Sequence, residues 1–296
     1  MSLKNFQEAE QRLIEKIRSV KQHPTIKPPY KYVGANDPLS ILLGFAIKEQ
    51  KLDYEYGLYI ANPTTSDKPQ IIIDPNGSDK ERLNFTYFHE VSHHLIRSDG
   101  ELYEFLDELA TQGGDFKTLK DLFANIGAAE YLLPRGDVKE LIDTKSFSIK
   151  LLLDLDQKYP ASKPAIAIQL ARQAIHKCFV VICEYGILPQ KDEGQIGLPT
   201  EPKQAVETNH LYIRYSSSSP TNKYTIGRYT IIPKNHILRK IYEEKLEYSK
   251  GVDNIPFRSG KEWQVPCEGL YYKGKVYGVF NIEPPPPPDA LQPKLF

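Results

Sequence analysis

Residues 85–96 read FTYFHEVSHHLI and place three histidines and a glutamate inside an otherwise apolar helical segment. His89 and His93 are four residues apart, so on a helix their side chains point the same way, one turn apart. Glu90 is rotated by about 100° from His89. This is the HExxH pattern, in which two imidazoles bind one metal ion and the glutamate reaches a water molecule beside it.

The pattern indicates the chemistry of a zinc hydrolase. Zinc lowers the pKa of its water toward neutrality, Glu90 accepts the proton, and the hydroxide attacks a peptide carbonyl. Chance produces the same pattern in roughly one such chain in a hundred, but here Phe88, Val91 and Leu95 form an apolar stripe that would bury one helix face. We therefore predict that His89 and His93 bind Zn²⁺, with Mn²⁺ as the alternative metal in the cell, and that Glu90 is the general base.

The third metal ligand is harder to choose. His94 lies about 140° around the helix from His89, so the two cannot point at one ion, and we expect His94 to be a packed neighbour. A catalytic zinc normally takes three protein ligands and one water. Spacing alone does not choose among the acidic residues that follow the histidine helix, which are Asp99, Glu101, Glu104, Asp107, Glu108, Asp115 and Asp121.

Length and composition indicate the broad class. A chain of 296 residues predicts two or more domains, and 38 basic residues against 38 acidic ones argue against binding nucleic acid through overall charge. Cys178, Cys183 and Cys267 form neither a disulfide framework nor a CxxC zinc pattern, which favours a reducing compartment. The N-terminal stretch lacks a signal-peptide core, and no apolar run has the length of a membrane span. We expect a cytoplasmic protein that does not contact the membrane.

The N-terminal half predicts a helix at the N-terminus, a helix over about 37–49 and two short strands over 57–61 and 70–74. These strands could pair as a hairpin with one open edge, which would either align an extended substrate or serve a purely structural role. Ser78 and Glu81 have the spacing of a capping box, so a helix should start there and run through the histidines, with a loop after it. A further helix over about 117–133 should end at Pro134.

The C-terminal half has a different pattern. Residues 147–177 predict two helices around a turn, which is the size of a helix-turn-helix. A polar linker is predicted over 189–202. Beyond it, a small α+β domain is indicated by strand-like segments and one helix. The strand-like segments are 210–215, 224–232, 263–272 and 275–282, the helix is about 235–248, and the proline-rich tail is 284–296.

A second motif, DLFANIGAAEYLLP at 121–134, gives the histidine helix a family context. Together with the strand IIIDPN at 71–76, these segments resemble the ImmA/IrrE family of regulatory metallopeptidases. In that family the second helix reads E-x-x-A-N-x-x-A-A-x-x-L-x-P, and its leading glutamate is the third zinc ligand. The positions that match are Ala124, Asn125, Ala128, Ala129, Leu132 and Pro134. Asp121 occupies the glutamate position, so the resemblance implies that a shorter carboxylate completes the site; otherwise Asp121 only complements the helix dipole.

The resemblance also implies an architecture. It implies an α+β chain with a mainly helical, zincin-like HExxH metallopeptidase domain that contains a small β-sheet. The order of segments in that family implies that a helix-turn-helix-like helical segment and then a GAF-like α+β domain follow the peptidase domain. The predicted ranges are 1–145 for the peptidase, 146–190 for the helical segment, 203–283 for the GAF-like domain and 284–296 for the tail.

The function implied by the resemblance is regulatory proteolysis. Such enzymes cut a partner transcriptional repressor, here expected to be a helix-turn-helix protein, and thereby induce stress and DNA-damage response genes. The alternative is a non-catalytic regulator that binds a repressor or DNA through the middle and C-terminal segments. The helices of residues 150–177 lack a dense basic face, which favours docking of a protein over direct DNA binding. The GAF-like domain would either bind a small molecule or serve as a packing or dimer surface.

Overall fold

The structure is a computed structural model that describes Leu3 and residues 5–64, 66–111, 115–188 and 208–287. It divides into two units, the first comprising Met1–Arg135 and Asp156–Ser162 and the second Gly136–Leu155 and Lys163–Phe296. Each unit combines helices with a β-sheet, so the α+β class predicted from the sequence is confirmed. The four predicted domain ranges, with their zincin-like and GAF-like folds, stay predictions. The predicted linker and most of the proline-rich tail lie outside the described residues.

In the described chain, three strands follow the first two helices, six helices come next, and five strands with one further helix among them complete the order. The helices are α1 Phe6–Lys21, α2 Pro38–Leu43, α3 Lys80–Arg97, α4 Gly100–Thr111, α5 Phe116–Leu132, α6 Arg135–Lys145, α7 Leu151–Lys158, α8 Lys163–Gln173 and α9 Ile237–Glu244. The strands are β1 Ala46–Glu49, β2 Gly57–Ile60, β3 Gln70–Ile73, β4 Cys178–Gly186, β5 His210–Ser218, β6 Ser249–Asn254, β7 Gln264–Tyr272 and β8 Lys275–Asn281. No helix in the described ranges is both long enough and apolar enough to cross a bilayer.

The sheet of the first unit has the order β1-β3-β2. β3 is central because Ile71, Ile72 and Ile73 are all buried and can pack on both faces. β2 pairs with β3 in antiparallel fashion, which confirms the predicted pairing and leaves β2 as an edge strand. β1 pairs with the other side of β3 in parallel, so the sheet is larger than the expected hairpin.

The helix predicted over 37–49 is wrong in its second half. α2 ends at Leu43 because Gly44 adopts a positive φ of 79° and its N–H bonds to the carbonyl of Ser40. The chain then enters β1, where Ala46–Glu49 contacts β3. The left-handed conformation of one glycine therefore changes a predicted helix into a helix followed by a strand.

The helix that carries the histidines has its N-cap one residue later than the capping box of Ser78 and Glu81 predicted. Asp79, and not Ser78, is the N-cap, and its carboxylate accepts the N–H of Arg82 at 2.8 Å. The loop predicted after this helix is wrong, because residues 100–111 form α4. Leu102, Phe105 and Leu106 are buried there, with the spacing of one apolar helix face.

α3 and α5 pack closely where Gly127 faces Ser92. A Cβ atom at Gly127 would lie 2.3 Å from Ser92 Oγ and 2.8 Å from Ser92 Cβ. The Ser92 hydroxyl donates to the Phe88 carbonyl at 2.7 Å, so the side chain stays against its own helix. Gly127 therefore allows the two helices to lie this close at Ser92.

The sheet of the second unit has the order β5-β4-β8-β7-β6, with antiparallel pairing throughout. β4 lies inside the range predicted to be helical, and its continuous apolar run CFVVIC is typical of a strand buried on both faces. α8 packs against β4 and β5, whereas α9 packs against β6, β7 and β8. The three cysteines are buried and free of disulfides.

The strand predicted over 224–232 is wrong. This segment follows the edge of β5 through bonds such as Ile213 N–H to the Thr230 carbonyl at 2.9 Å, but it forms only an isolated bridge at Ile231. Tyr229 has a φ of 62°, which interrupts the extended backbone. The helix predicted over about 235–248 is present as the shorter α9, which ends where Lys245 enters the left-handed region.

We predict that Gly127→Ala destabilises the first unit by about 1–3 kcal/mol, because the new methyl group overlaps Ser92 and forces the two helices apart. Hydrogen exchange of the α3 and α5 amides should accelerate accordingly. Gly100→Ala is the matched control, since a Cβ there meets nothing within 4 Å. Unchanged exchange in Gly127→Ala would show that the helices do not pack at this distance.

Candidate metal centre

Three side chains from two helices converge in the first unit. The Nε2 atoms of His89 and His93 lie 3.0 Å apart, and His93 Nε2 lies 3.4 Å from Asp121 Oδ1. Each residue offers one ligand atom, and these three atoms all lie within 4.8 Å of one another. The structure thus brings together the two histidines of the sequence motif and the acid that the family resemblance singled out.

The donor set fits a divalent metal ion. Zinc binds imidazole nitrogen and carboxylate oxygen at about 2.0–2.2 Å, so tetrahedral ligand atoms lie about 3.4 Å from one another. The distances that involve His93 are close to this value. Burial lowers the pKa of His89, and burial together with the charges of His89 and Lys120 lowers the pKa of His93 to about 3. Both imidazoles are therefore neutral at pH 7, which is the form that binds metals.

Asn125 orients the first histidine. Its Oδ1 atom lies 3.0 Å from His89 Nδ1, so Nδ1 carries the proton and donates it to the amide oxygen. The lone pair of His89 is then on Nε2, which faces His93. Asn125 lies one turn after Asp121 on α5, so one face of this helix supplies both the carboxylate and the orienting amide.

Glu90 lies beside the three residues in a buried position. Its side chain is 7% exposed, and the edge strand β2 covers it. A Cβ atom at Gly57 would lie 2.5 Å from Thr86 Cγ2 and 3.0 Å from Glu90 Cγ, so glycine lets β2 lie this close to α3. Burial, with a smaller contribution from the charge of Glu55, raises the pKa of Glu90 to about 8, whereas a hydrogen bond from the Tyr59 backbone N–H acts in the opposite direction.

The remaining candidates lie elsewhere. His94 is buried, with Nε2 3.0 Å from the Leu43 carbonyl and Nδ1 3.3 Å from the Tyr59 hydroxyl, as expected of a packed neighbour. Asp99 forms an ion pair with Arg12, and Asp115 is the N-cap of α5. Glu104, Asp107 and Glu108 lie on α4. In the described part of the chain, none of these acids joins a cluster with His89 and His93.

An open cleft of about 620 Å³ surrounds the site. One face of α3 forms its floor, β2 with the residues before it forms one wall, and the beginning of α5 forms the other. The residues that line it are Glu55, Tyr56, Gly57, Leu58, Tyr59, Arg82, Phe85, Thr86, His89, Glu90, His93, Lys117, Lys120, Asp121 and Asn125. An extended peptide segment could therefore reach Glu90 and the histidines from solvent.

Sequence reasoning missed three contributors to this geometry. Asn125 matched the family motif but received no role, although its spacing from Asp121 places both on one helix face. Gly57 and the backbone of Tyr59 act on Glu90 through the tertiary structure. No local pattern in β2 indicates that contact.

Two proteins of known activity are similar in sequence to this chain. The chain is 25% identical over 202 residues to the radiation response metalloprotease IrrE of Deinococcus deserti, an alignment that covers 68% of this chain and 67% of the relative. It is 23% identical over 217 residues to IrrE of Deinococcus radiodurans, which covers 72% of this chain and 63% of that relative. The resemblance to the ImmA/IrrE family predicted from the sequence is confirmed by these two relatives. The chain spans about two thirds of their length.

A solved structure shares the fold. The chain resembles a Mycobacterium tuberculosis transcriptional regulator with a TM-score of 0.51 at 11% sequence identity, over 93% of this chain and 81% of that one. At this identity the likeness concerns the fold alone. No family model matches the chain.

We predict that Asn125→Ala weakens zinc binding about 10- to 100-fold, because His89 loses the partner that fixes its tautomer and orientation. Competition with a chromophoric zinc chelator measures this without any substrate. Leu122→Ala, an exposed position on the same helix outside the cleft, is the control. Equal zinc affinity in wild type and Asn125→Ala would contradict the assigned role.

Proposed function

We propose that the protein is a metal-dependent, site-specific endopeptidase that cleaves a partner transcriptional repressor and thereby derepresses stress and DNA-damage response genes. The observation that carries the proposal is the buried carboxyl of Glu90 beside the cluster of His89, His93 and Asp121, at the floor of an open cleft. The names of the two relatives, both radiation response metalloproteases, support the same activity.

In this proposal His89, His93 and Asp121 hold the metal, which is zinc or, as the alternative, manganese. The bound ion supplies positive charge that polarises a peptide carbonyl and lowers the pKa of a water molecule and of nearby carboxyl groups. Asp121 is one methylene shorter than the glutamate of the family motif. The close packing of α5 on α3 at Gly127 compensates for this length, because it brings the Asp121 carboxylate to 3.4 Å from His93.

Glu90 then moves the proton. Its carboxylate accepts a proton from the attacking water and passes it to the nitrogen of the leaving amine. The Tyr59 N–H holds one side of the carboxylate, and the backbone at Gly57 limits its movement. β2 therefore positions the general base as well as covering it.

The same strand offers an edge for the substrate. The Asp74 N–H donates to the Tyr56 carbonyl at 3.0 Å, so Tyr56 faces β3. Because backbone groups alternate along an antiparallel strand, those of Gly57 and Tyr59 face away from β3. The Gly57 groups and the Tyr59 carbonyl remain for an extended peptide, which would bind by β-augmentation beside Glu90.

The proposal assigns a role to each of three ranges of the chain. Residues 1–145 form the zincin-like peptidase domain, and the helix-turn-helix-like segment 146–190 docks the repressor in the cytoplasm. The GAF-like range 203–283 senses a small molecule or packs against another chain. These assignments rest on the order of segments in the ImmA/IrrE family and on the similarity to IrrE proteins over about 70% of the chain.

A non-catalytic regulator that binds a repressor or DNA is the rival function. It would use the same fold without needing a buried glutamate next to paired histidines. The role of Glu90 therefore separates the two functions.

We predict that Glu90→Gln lowers cleavage by about 10²- to 10⁴-fold while zinc content is unchanged, because the amide cannot accept a proton. Untagged, zinc-loaded wild type and variant are each incubated with a lysate of the source organism, and new protein N-termini are labelled and quantified. Wild type should generate a dominant new terminus in one transcriptional regulator. Glu108→Gln, an exposed acid on α4, should cut like wild type.

Two outcomes would contradict the proposal. If Glu90→Gln cuts at the wild-type rate, Glu90 is not the general base. If zinc-loaded wild type generates no new terminus, the rival binding function is favoured.

A further inference from the structure

Two lysines line the cleft beside the metal cluster without a role in the mechanism. Lys117 and Lys120 lie on the first turns of α5, and both line the cleft with Asp121 and Asn125. The spacing of these four residues places them on one helix face. Any chain that lies between β2 and α5 must therefore pass these two amino groups.

The lysines lie at one end of the cleft. α3 and α5 run antiparallel, since His89 contacts Asn125 while His93 contacts Asp121. Lys120 precedes Asp121 and acts electrostatically on His93, so it lies beyond the histidines toward the C-terminal end of α3. Lys117 lies one turn further in the same direction.

The electrostatic surroundings of the two lysines include Asp115, whose carboxylate interacts with Lys117. In the described part of the chain, neither lysine forms a salt bridge with a carboxylate. Lys120 Nζ lies 4.7 Å from the centre of the Phe116 ring, and Lys117 is exposed. The acids that share the cleft are Glu55, Glu90 and Asp121, and the proposed mechanism uses two of these three.

The opposite end of the cleft differs. Arg82 lines that end, with its guanidinium over the Tyr56 ring at 4.3 Å from the ring centre. Glu55 also lines the cleft and precedes Tyr56 in the chain. Each end of the cleft therefore carries positive charge, but two lysines lie together at the end formed by α5, whereas Arg82 shares its end with the acidic Glu55.

We propose that Lys117 and Lys120 form a specificity subsite for an aspartate or glutamate side chain on one side of the scissile bond. This inference rests on the proposed function and adds the substrate class to it. Exposed lysines on a helix are often only solvated. These two differ because they share a helix face with Asp121. When the backbone of a substrate peptide lies along β2, an acidic side chain of that peptide is within reach of both lysines.

The test is an affinity selection that does not require cleavage. Full-length, zinc-loaded Glu90→Gln is immobilised and used to select from a displayed library of random dodecapeptides. Lys117→Glu/Lys120→Glu in the same background is the test variant. Lys48→Glu is the matched control, because Lys48 is exposed on β1, at the far edge of the sheet from β2. Two synthetic peptides that differ by Glu or Lys at the enriched position then give affinities at low and high salt.

We expect aspartate and glutamate to be enriched about three- to fivefold at one position, as for a partly exposed ion pair. The preference should reverse to lysine and arginine in the double variant, stay unchanged in Lys48→Glu, and weaken at high salt. Three results would overturn the inference: no acidic preference, the same preference in the double variant, or no peptide retained above the bare matrix.

The outcomes separate this inference from the proposed function. Cleavage of a protein at a site without a neighbouring acid overturns the subsite alone. Selective binding of acidic peptides by a protein that generates no new N-termini overturns the endopeptidase proposal and leaves a peptide-binding site.

Discussion

The close contact between α3 and α5 is the constraint on which the candidate site depends. The histidines belong to one helix, whereas the carboxylate and the orienting amide belong to the other, so neither helix alone brings the three candidate ligands together. Gly127 allows Ser92 to approach, and this distance lets an aspartate reach His93 at 3.4 Å. A larger residue at 127 would separate the ligands as well as the helices. In this account the stability of this packing and the affinity of the proposed metal site are coupled.

The edge strand β2 supplies a second constraint, because it determines the surroundings of Glu90. Its glycine allows the backbone to lie against the glutamate, and the next outward-facing amide, that of Tyr59, bonds to the carboxylate. In this account one strand holds the general base and presents its remaining edge groups to the substrate. A change in β2 would then affect both the chemistry and the alignment of the peptide, although the strand contributes no metal ligand.

Local patterns predicted much of this arrangement. HExxH spacing within one helix predicted His89, Glu90 and His93 as site residues, and the apolar runs of β2 and β3 predicted these two strands. Asp121 needed the family motif, because the acid that folds back is decided by the packing of α5. Three errors were local. The predicted second helix extended past Gly44, which ends it, and the acidic segment that forms α4 was predicted to be a loop. The apolar strand β4 was included in a range predicted to be helical. Contacts such as Gly57 with Glu90 join distant segments, so no local pattern reveals them.

The most direct test of the central claim is the metal content of the untagged protein, measured by elemental analysis on wild type, His93→Ala and Asp121→Ala. Circular dichroism spectra would establish that both variants fold. A site built by α3 and α5 together predicts about one zinc or manganese ion per chain in wild type and almost none in either variant. Full metal content in folded Asp121→Ala would place the third ligand elsewhere. Wild type that takes up neither zinc nor manganese would contradict the account of the site as a metal centre.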